Sequence, residues 1–357
     1  MHEIKKEDSI MANYYDRLIN LRNRRQDFSL IKEGYVIDSK FSKATESYEL
    51  LNESDTIKYA LGAMQPVDQT YTDNTYEEGQ RIINQLQKNL ESKYYIEFKF
   101  QGSVTNNTHI RVHSDIDVLT IHGGFVTLEP PLQPSFPYKG NPVQDLIDLR
   151  SDSYKILKNA FPTAEIDNNG SKSISVRGGS LKRKIDVVPS NWYDTVNYNK
   201  TKLDFYRGIQ VLDIKTYTRI VNTPFYHNEL LQRKDVSSLG NYKKMVRLLK
   251  TLKADSDVKI DISSYDIAAI MYYMDNPQYY AYNRPLKLLY NSFIYLNKMC
   301  RDDNYRNSLH VPDGSRLIFC DDGAKKRDFE LLTGELNTLI GDIMQENNNG
   351  FDKVITI

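Results

Sequence analysis

The sequence predicts an α/β (α+β) fold in which a mixed part, residues 1–200, leads into a mainly helical lobe, residues 201–357. Two kinds of periodicity say so. YYIEFKF, DIDVLTI, SISVRGG and KRKIDVVPS are short, β-prone and partly alternating, as half-buried strands are. Further on, NYKKMVRLLKTLK, SSYDIAAIMYYM, PLKLLYNSFIYLNKM and DFELLTGELNTLIGDIM repeat apolar residues every three or four positions, which is the period of an amphipathic helix. At 357 residues, 40% of them hydrophobic, the chain is long enough for one or two sizeable cores.

Taken in order, DSIMANYYDRLINLRNRR places Ile10, Tyr14, Leu18 and Leu21 on one helical face behind a Ser9 cap. Asp73-Asn74-Thr75 is expected to cap a second helix, TYEEGQRIINQLQKNL, with Ile82, Ile83, Leu86 and Leu90 as its buried stripe. The strands YYIEFKF and DIDVLTI follow, and His122-Gly123-Gly124 after them reads as a turn. Pro130, Pro131, Pro134, Pro137 and Pro142 withhold backbone donors, so a loop is expected there. A helix is expected from about Pro142 to Phe161, carried by Leu146, Leu149, Ile156 and Leu157. SISVRGG and KRKIDVVPS then form a hairpin around Gly178-Gly179-Ser180, and after Thr201 the pattern turns helical.

Composition narrows the function. The 47 Lys and Arg cancel the 47 Asp and Glu, so no global field draws the chain to nucleic acid or a membrane surface. A phosphate ligand must be held by a local cluster. No stretch approaches the roughly 20 apolar residues that span a bilayer. MHEIKKEDSI carries no apolar run of signal type, and with only Cys300 and Cys320 present a reducing, cytoplasmic location is expected.

Asp115 and Asp117 stand two apart in SDIDVLTI, and residues i and i+2 of a strand share a face. Ile116 and Val118 then point into a core. Asp186 in KIDVVPS has the same surroundings, so neighbouring strands would converge three carboxylates. Such a cluster costs several kcal/mol unless a cation or proton compensates it. Oxygen-only donors favour Mg²⁺ or Mn²⁺, and two such ions suit phosphoryl transfer. Gly102-Ser103, after YIEFKF, lets the backbone approach a ligand and offers N–H and hydroxyl donors to phosphate. Taken singly, Gly-Ser is a common loop dipeptide and Asp-x-Asp a common solvated strand face. Their joint order carries the expectation of chemistry on a nucleotide.

GSVTNNTHIRVHSDIDV and SISVRGGSLKRKIDVVPSNWYD together resemble the signature of the polymerase-beta-like nucleotidyltransferases. In particular they resemble the bacterial CD-NTases related to cyclic GMP-AMP synthase and oligoadenylate synthase. Gly102, Ser103, Thr108, Asp115, Asp117 and Asp186 stand in matching places. NTPFYHNELLQRKDVSSLGNYKKMVRLLKTLKADS and SSYDIAAIMYYM resemble the start of that family's helical lobe. The resemblance implies a nucleotidyltransferase core with a mixed sheet, N-terminal helices, and a C-terminal lobe closing over the nucleotide. It implies catalysis and metal binding by Asp115, Asp117 and Asp186, with two Mg²⁺ (or Mn²⁺) ions. It implies that Lys250 and Ser264 contact the triphosphate, with Lys243 a competing candidate, and that Tyr265 lies against a base or ribose. The implied reaction joins nucleoside triphosphates into a cyclic di- or trinucleotide messenger for antiphage signalling, with regulatory or effector proteins as partners. Val104 and Asn107 stand where the family often has an aromatic residue and a Gly, and no Cys/His cluster follows Asp186, so no DNA activator is expected.

Two rival readings keep parts of this site: transfer to an RNA, protein or small-molecule acceptor, and a catalytically inactive nucleotide-binding scaffold. Among other residues, Lys243, Arg247 and Lys250 share a helix face that would by itself be taken as solvated. His109 and His113, four apart, are expected to be exposed rather than catalytic. Trp192 is expected in a core, and both cysteines are expected to be structural.

Overall fold

The structure is a computed structural model and describes residues 13–26, 46–111, 114–346 and 350–356. Ser9, Ile10 and His113 therefore lie outside the described residues. The described strands are β1 (Ile96–Gln101), β2 (Ile116–Leu128), β3 (Glu165–Asp167), β4 (Ile174–Gly178), β5 (Leu181–Asp194), β6 (Arg207–Asp213) and β7 (Thr218–Asn222). The α-helices begin with α1 (Tyr14–Gln26), α2 (Asp55–Met64), α3 (Gln69–Leu90), α4 (Pro142–Ala160), α5 (Val196–Thr201) and α6 (Pro224–Ser237). They continue with α7 (Asn241–Asp255), α8 (Ser264–Tyr272), α9 (Asn276–Tyr279), α10 (Pro285–Arg301), α11 (Asp303–Ser308) and α12 (Lys326–Glu346).

Contacts divide the chain into a sheet unit, Val67–Arg233, and a helical unit that joins Met1–Pro66 to Lys234–Ile357. The expected boundary at residue 200 leaves the leading helices with the strands. The structure instead packs α1 on α2 and α2 on α7, burying Leu21, Tyr59 and Leu61 among helices. Charge pairs reinforce this arrangement: Arg24 forks onto Asp255, and Arg25 grips Glu46 and the carbonyls of Gln65 and Pro66. None of the described helices is long and apolar enough to cross a membrane.

In the sheet unit, β5 is hydrogen-bonded along one edge to β2 in parallel. Its other edge is shared, β4 taking the first half and β6 the second, both antiparallel. β1 closes the β2 side, while β3 and β7 extend beyond β4 and β6. Helices α3 and α4 cover one face, where Ile116, Val118, Ile185 and Val187 are fully buried with Leu86, Leu90 and Leu149. Each such side chain contributes roughly 1.5–3 kcal/mol by leaving water. The alternation sends Asp117 and Asp186 to the opposite face, whose far end carries a second small core of Leu119, Ile121, Trp192, Ile209 and Val211.

Several expectations need correction. Helix α3 opens at Gln69, because the Asp68 side chain accepts the Thr70 N–H at 2.9 Å, a turn before the expected cap at Asp73–Thr75. His122-Gly123-Gly124 is not a turn but lies within β2, where the pairing with β5 slips between His122 and Val126. A Cβ on Gly123 would fall 2.2 Å from the Tyr95 ring, which explains why this strand tolerates glycine there. The region after Thr201 is not helical at first, since β6 and β7 come before α6. Those two short strands, like the three-residue β3, are stabilised by neighbours rather than by a local pattern.

Candidate active site

The pairing of β2 with β5 sets Asp117 directly opposite Asp186, with Ile116 opposite Ile185. Parallel strands in register project these two carboxylates from one face. Asp115 stands one residue ahead of β2, its side chain 61% exposed, whereas that of Asp186 is 16% exposed. Two residues that the sequence reasoning overlooks complete the cluster. Lys184 donates from Nζ to Asp186 Oδ2 at 2.5 Å and lies 4.0 Å from Asp115 Oδ2. Ser173, just before β4, donates to Asp186 Oδ1 at 3.4 Å. Lys184 is open to the alternation argument, since it precedes Asp186 by two in KIDVVPS.

Burial, and then the charge of Asp186, push the Asp117 carboxyl up from 3.8 to about 7, with Lys184 pulling the other way. Asp115 is also raised, by burial first and by Asp186 against the opposing charges of Lys184 and Arg111. For Lys184, burial favours the neutral amine, but the hydrogen bond and charge of Asp186 outweigh it, and the ammonium is stabilised. The cluster thus binds protons and an ammonium where it can, the behaviour of a site short of positive charge. Its donors are carboxylate oxygens, which suit a hard divalent cation. Among the described residues no three carboxylate, His or Cys side chains stand close enough to hold an ion as they are placed.

Gly102 lies against the same cluster, since a Cβ built on it would be 3.6 Å from Asp117 Oδ2, and its φ of +105° favours glycine. The loop it opens is tied back on itself: Thr105 N–H donates to Gly102 O at 3.1 Å and Thr108 N–H to Ser103 O at 3.0 Å. Asn228 of α6 donates to Thr105 Oγ1 at 2.9 Å, and Val104 plugs the loop into the core beneath. His109, expected to be exposed, is instead 2% exposed, its Nε2 3.1 Å from Thr72 Oγ1. Thr108 and His109 turn inward together after the exposed Asn107.

Two buried charged residues, Arg150 and Glu78, brace the strand that carries Asp186 and the approach to its neighbour β4. Arg150 of α4 donates to the carbonyls of Gly170 at 2.7 Å and Ser173 at 2.9 Å and to Asn168 Oδ1 at 2.8 Å, fixing the approach to β4. Glu78 of α3 accepts the Lys182 and Arg183 N–H groups at 3.0 Å each and the Arg183 guanidinium at 3.1 Å, fixing the start of β5. Nothing local in the sequence marks either brace, because each joins residues far apart along the chain.

The remaining sequence candidates belong to the helical unit. Lys243, Arg247 and Lys250 on α7 are 8%, 4% and 7% exposed, so the face taken as solvated is in fact buried. Asp235 explains part of this, accepting the Lys243 N–H at 3.0 Å and lying 3.7 Å from its ammonium. Arg247 donates to the Met64 carbonyl at 2.8 Å, and burial lowers it to about 10. Burial likewise lowers Lys243 against the attraction of Asp235. Ser264 is exposed and begins α8, whose cap is the neighbouring Ser263, accepting the Asp266 N–H at 2.9 Å. Tyr265 is raised by burial and by Asp313, with the Arg316 guanidinium 5.4 Å from its ring centre. Back in the sheet unit, Trp192 is core, 5% exposed, with Nε1 donating to Glu97 at 2.9 Å. The two cysteines are free.

Comparison with known proteins bears on the whole arrangement. A model of the cGAS/DncV-like nucleotidyltransferase C-terminal helical domain matches residues 229–341. The cyclic dinucleotide synthase CdnE of Yersinia aleksiciae is 36% identical over 320 residues, covering 88% of this chain and 84% of that protein. A c-di-GMP synthase of Capnocytophaga granulosa is 31% identical over 357 residues, covering 93% of this chain and 98% of the relative. Among solved structures, a STING-associated CdnE c-di-GMP synthase from Flavobacteriaceae sp. superposes with a TM-score of 0.77 at 27% identity, covering 94% of this chain and 99% of that one.

Proposed function

The chain belongs to the bacterial CD-NTase family of cGAS/DncV-like nucleotidyltransferases, and from that premise we propose that it condenses nucleoside triphosphates into a cyclic dinucleotide messenger for antiphage signalling. The observation that carries the reading is the register of β2 against β5, which pairs Asp117 with Asp186 beside Gly102 and the solvent-exposed Asp115 carboxylate. Here a ribose hydroxyl oxygen bonds to the α-phosphorus of a second nucleotide, pyrophosphate departs, and a second such step closes the ring.

In this reading Asp115, Asp117 and Asp186 hold the divalent cations, Mg²⁺ or Mn²⁺, with Asp115 rotating in from its exposed position. Two such ions would neutralise charge developing on the transferring phosphate and its leaving group. Gly102 leaves room for a phosphate against the strand ends, and Ser103 with the loop amides donates to it. Asp186, the third carboxylate, is assigned to help take the proton of the attacking hydroxyl on its place beside Asp117. Lys243, Lys250, Ser264 and Tyr265 are assigned to the triphosphate and base on the family resemblance alone.

The relatives named c-di-GMP synthases make GTP the first substrate to try. Two structurally similar c-di-GMP synthases, from Capnocytophaga granulosa and Flavobacteriaceae sp., are STING-associated, which supports a cyclic-dinucleotide receptor as this chain's downstream partner. Purified protein should be incubated with single and mixed NTPs and Mg²⁺ or Mn²⁺, and the products identified by mass. A cyclic dinucleotide formed without any added acceptor is the expected outcome. Product only when an RNA, protein or small-molecule acceptor is supplied would overturn cyclisation, and no pyrophosphate release from any mixture would overturn catalysis.

A further inference from the structure

We propose that Lys184 is a tethered counter-ion that occupies the cation seat of the carboxylate cluster and must be displaced for a divalent ion to enter. This rests on the reading of Asp115, Asp117 and Asp186 as metal ligands. Lys184 and Asp186 project from the same face of β5, two residues apart, so the ammonium cannot leave the cluster's vicinity without rotating its whole stem. Nζ lies 2.5 Å from Asp186 Oδ2 and 4.0 Å from Asp115 Oδ2, bridging the strand acid and the exposed one. The other oxygen of Asp186 takes the Ser173 hydroxyl, so Oδ2 is the one a metal would claim.

A divalent cation at that oxygen and an ammonium at hydrogen-bonding distance from it would repel strongly. One must yield. The structure provides the room: a cleft of about 280 Å³ opens beside Asp186, bordered by Lys184 itself and by Ser175, Glu165 and Asp167. Arg177 also borders the cleft and holds Glu165 at 2.8 and 2.9 Å, so the ammonium rotating into it gains Asp167 in place of the partner it gives up. The side chain is already 39% exposed, so its movement breaks no core packing. Lys184 therefore stabilises the carboxylates in the ion-free chain and sets the concentration at which the ion takes over.

The test is binding of Mn²⁺ alone, without nucleotide, followed through the paramagnetic resonance signal of free Mn²⁺. Lys184→Met keeps the length of the stem and removes the charge, and Lys184→Gln is run beside it in case the apolar tip disturbs the strand. Both should bind Mn²⁺ roughly five- to tenfold more tightly than the unaltered chain, a change of about 1–1.4 kcal/mol. Lys184→Arg should stay near the original affinity, because it keeps the charge. The ion-free Lys184→Met chain should also melt at a lower temperature, a deficit that saturating Mn²⁺ removes. Equal or weaker Mn²⁺ binding by both neutral variants would overturn the proposal. A different failure, in which no variant binds Mn²⁺ above the level of an Asp115→Asn, Asp117→Asn chain, would overturn the metal reading itself.

Discussion

The acids of the sheet unit and the bases of helix α7 are both charged groups withdrawn from water, yet the protein treats them in opposite ways. On α7 Lys243 and Arg247, two of the three buried cations, have protein partners in Asp235 and the Met64 carbonyl, although burial still lowers both. Around Asp117 and Asp186 compensation is incomplete, with Lys184, and Arg111 acting on Asp115 alone, set against three carboxylates, and burial and the charge of Asp186 drive the Asp117 carboxyl up to about 7. A satisfied charge supports the fold, and an under-compensated one marks a place where something else is meant to bind. The difference supports the proposal that the chemistry lies in the sheet unit.

The strongest way to break this comparison is to neutralise the acids. Asp115→Asn with Asp117→Asn should lower product formation from NTPs by about a thousandfold or more, while circular dichroism shows an intact fold. Equal turnover would mean that the unsatisfied cluster is idle. A smaller effect of the opposite kind is expected on α7. Arg247→Met removes a buried cation from its carbonyl partner and should destabilise the chain by about 2–3 kcal/mol in denaturant titration. A changed KM for NTP with no loss of stability would group Arg247 with Lys243 and Lys250 as a ligand contact and leave its bond to the Met64 carbonyl without a structural role.

The mildest test uses pH. Because the folded carboxyl of Asp117 titrates near 7 and the unfolded one near 3.8, the folded chain holds that proton more tightly. This contribution to stability is complete below about pH 3.8 and is lost as pH rises through about 7. The metal-free melting temperature should therefore decline across that window, and Asp117→Asn should flatten the decline. A slope unchanged in the variant would assign it to other groups.

What is legible in the sequence follows the same division. A strand side chain has only two directions, so Asp117 and Asp186 within apolar runs can be aimed from spacing alone, whereas Asp115 falls just ahead of β2 and escapes that rule; the hairpin around Gly178-Gly179 can be drawn around them. A helix face is less decisive, since Lys243, Arg247 and Lys250 at helical spacing look the same whether wet or buried. The structure also shows β6 and β7, which owe their form to the far half of β5 and leave little mark on their own residues. His109, in the loop after β1, defeats a local reading for a related reason, because its partner Thr72 comes from helix α3, far back in the chain. The braces from Glu78 and Arg150 are long-range contacts of the same kind, and Lys184 escapes notice only because a lone basic residue in a strand is common.

On the proposed reading, the pairing of Asp117 with Asp186 also makes the enzyme a monitor of its own assembly. The two residues are far apart in the chain and meet only when β2 and β5 dock in parallel with the correct offset. A slip of one residue would leave the backbone ladder largely hydrogen-bonded while turning one carboxylate into the layer beneath α3 and α4. Spectroscopic helix and strand content would scarcely notice. Specific activity recovered after dilution from denaturant therefore counts molecules with the right offset, and its shortfall against recovered dichroism measures how often the sheet closes out of step.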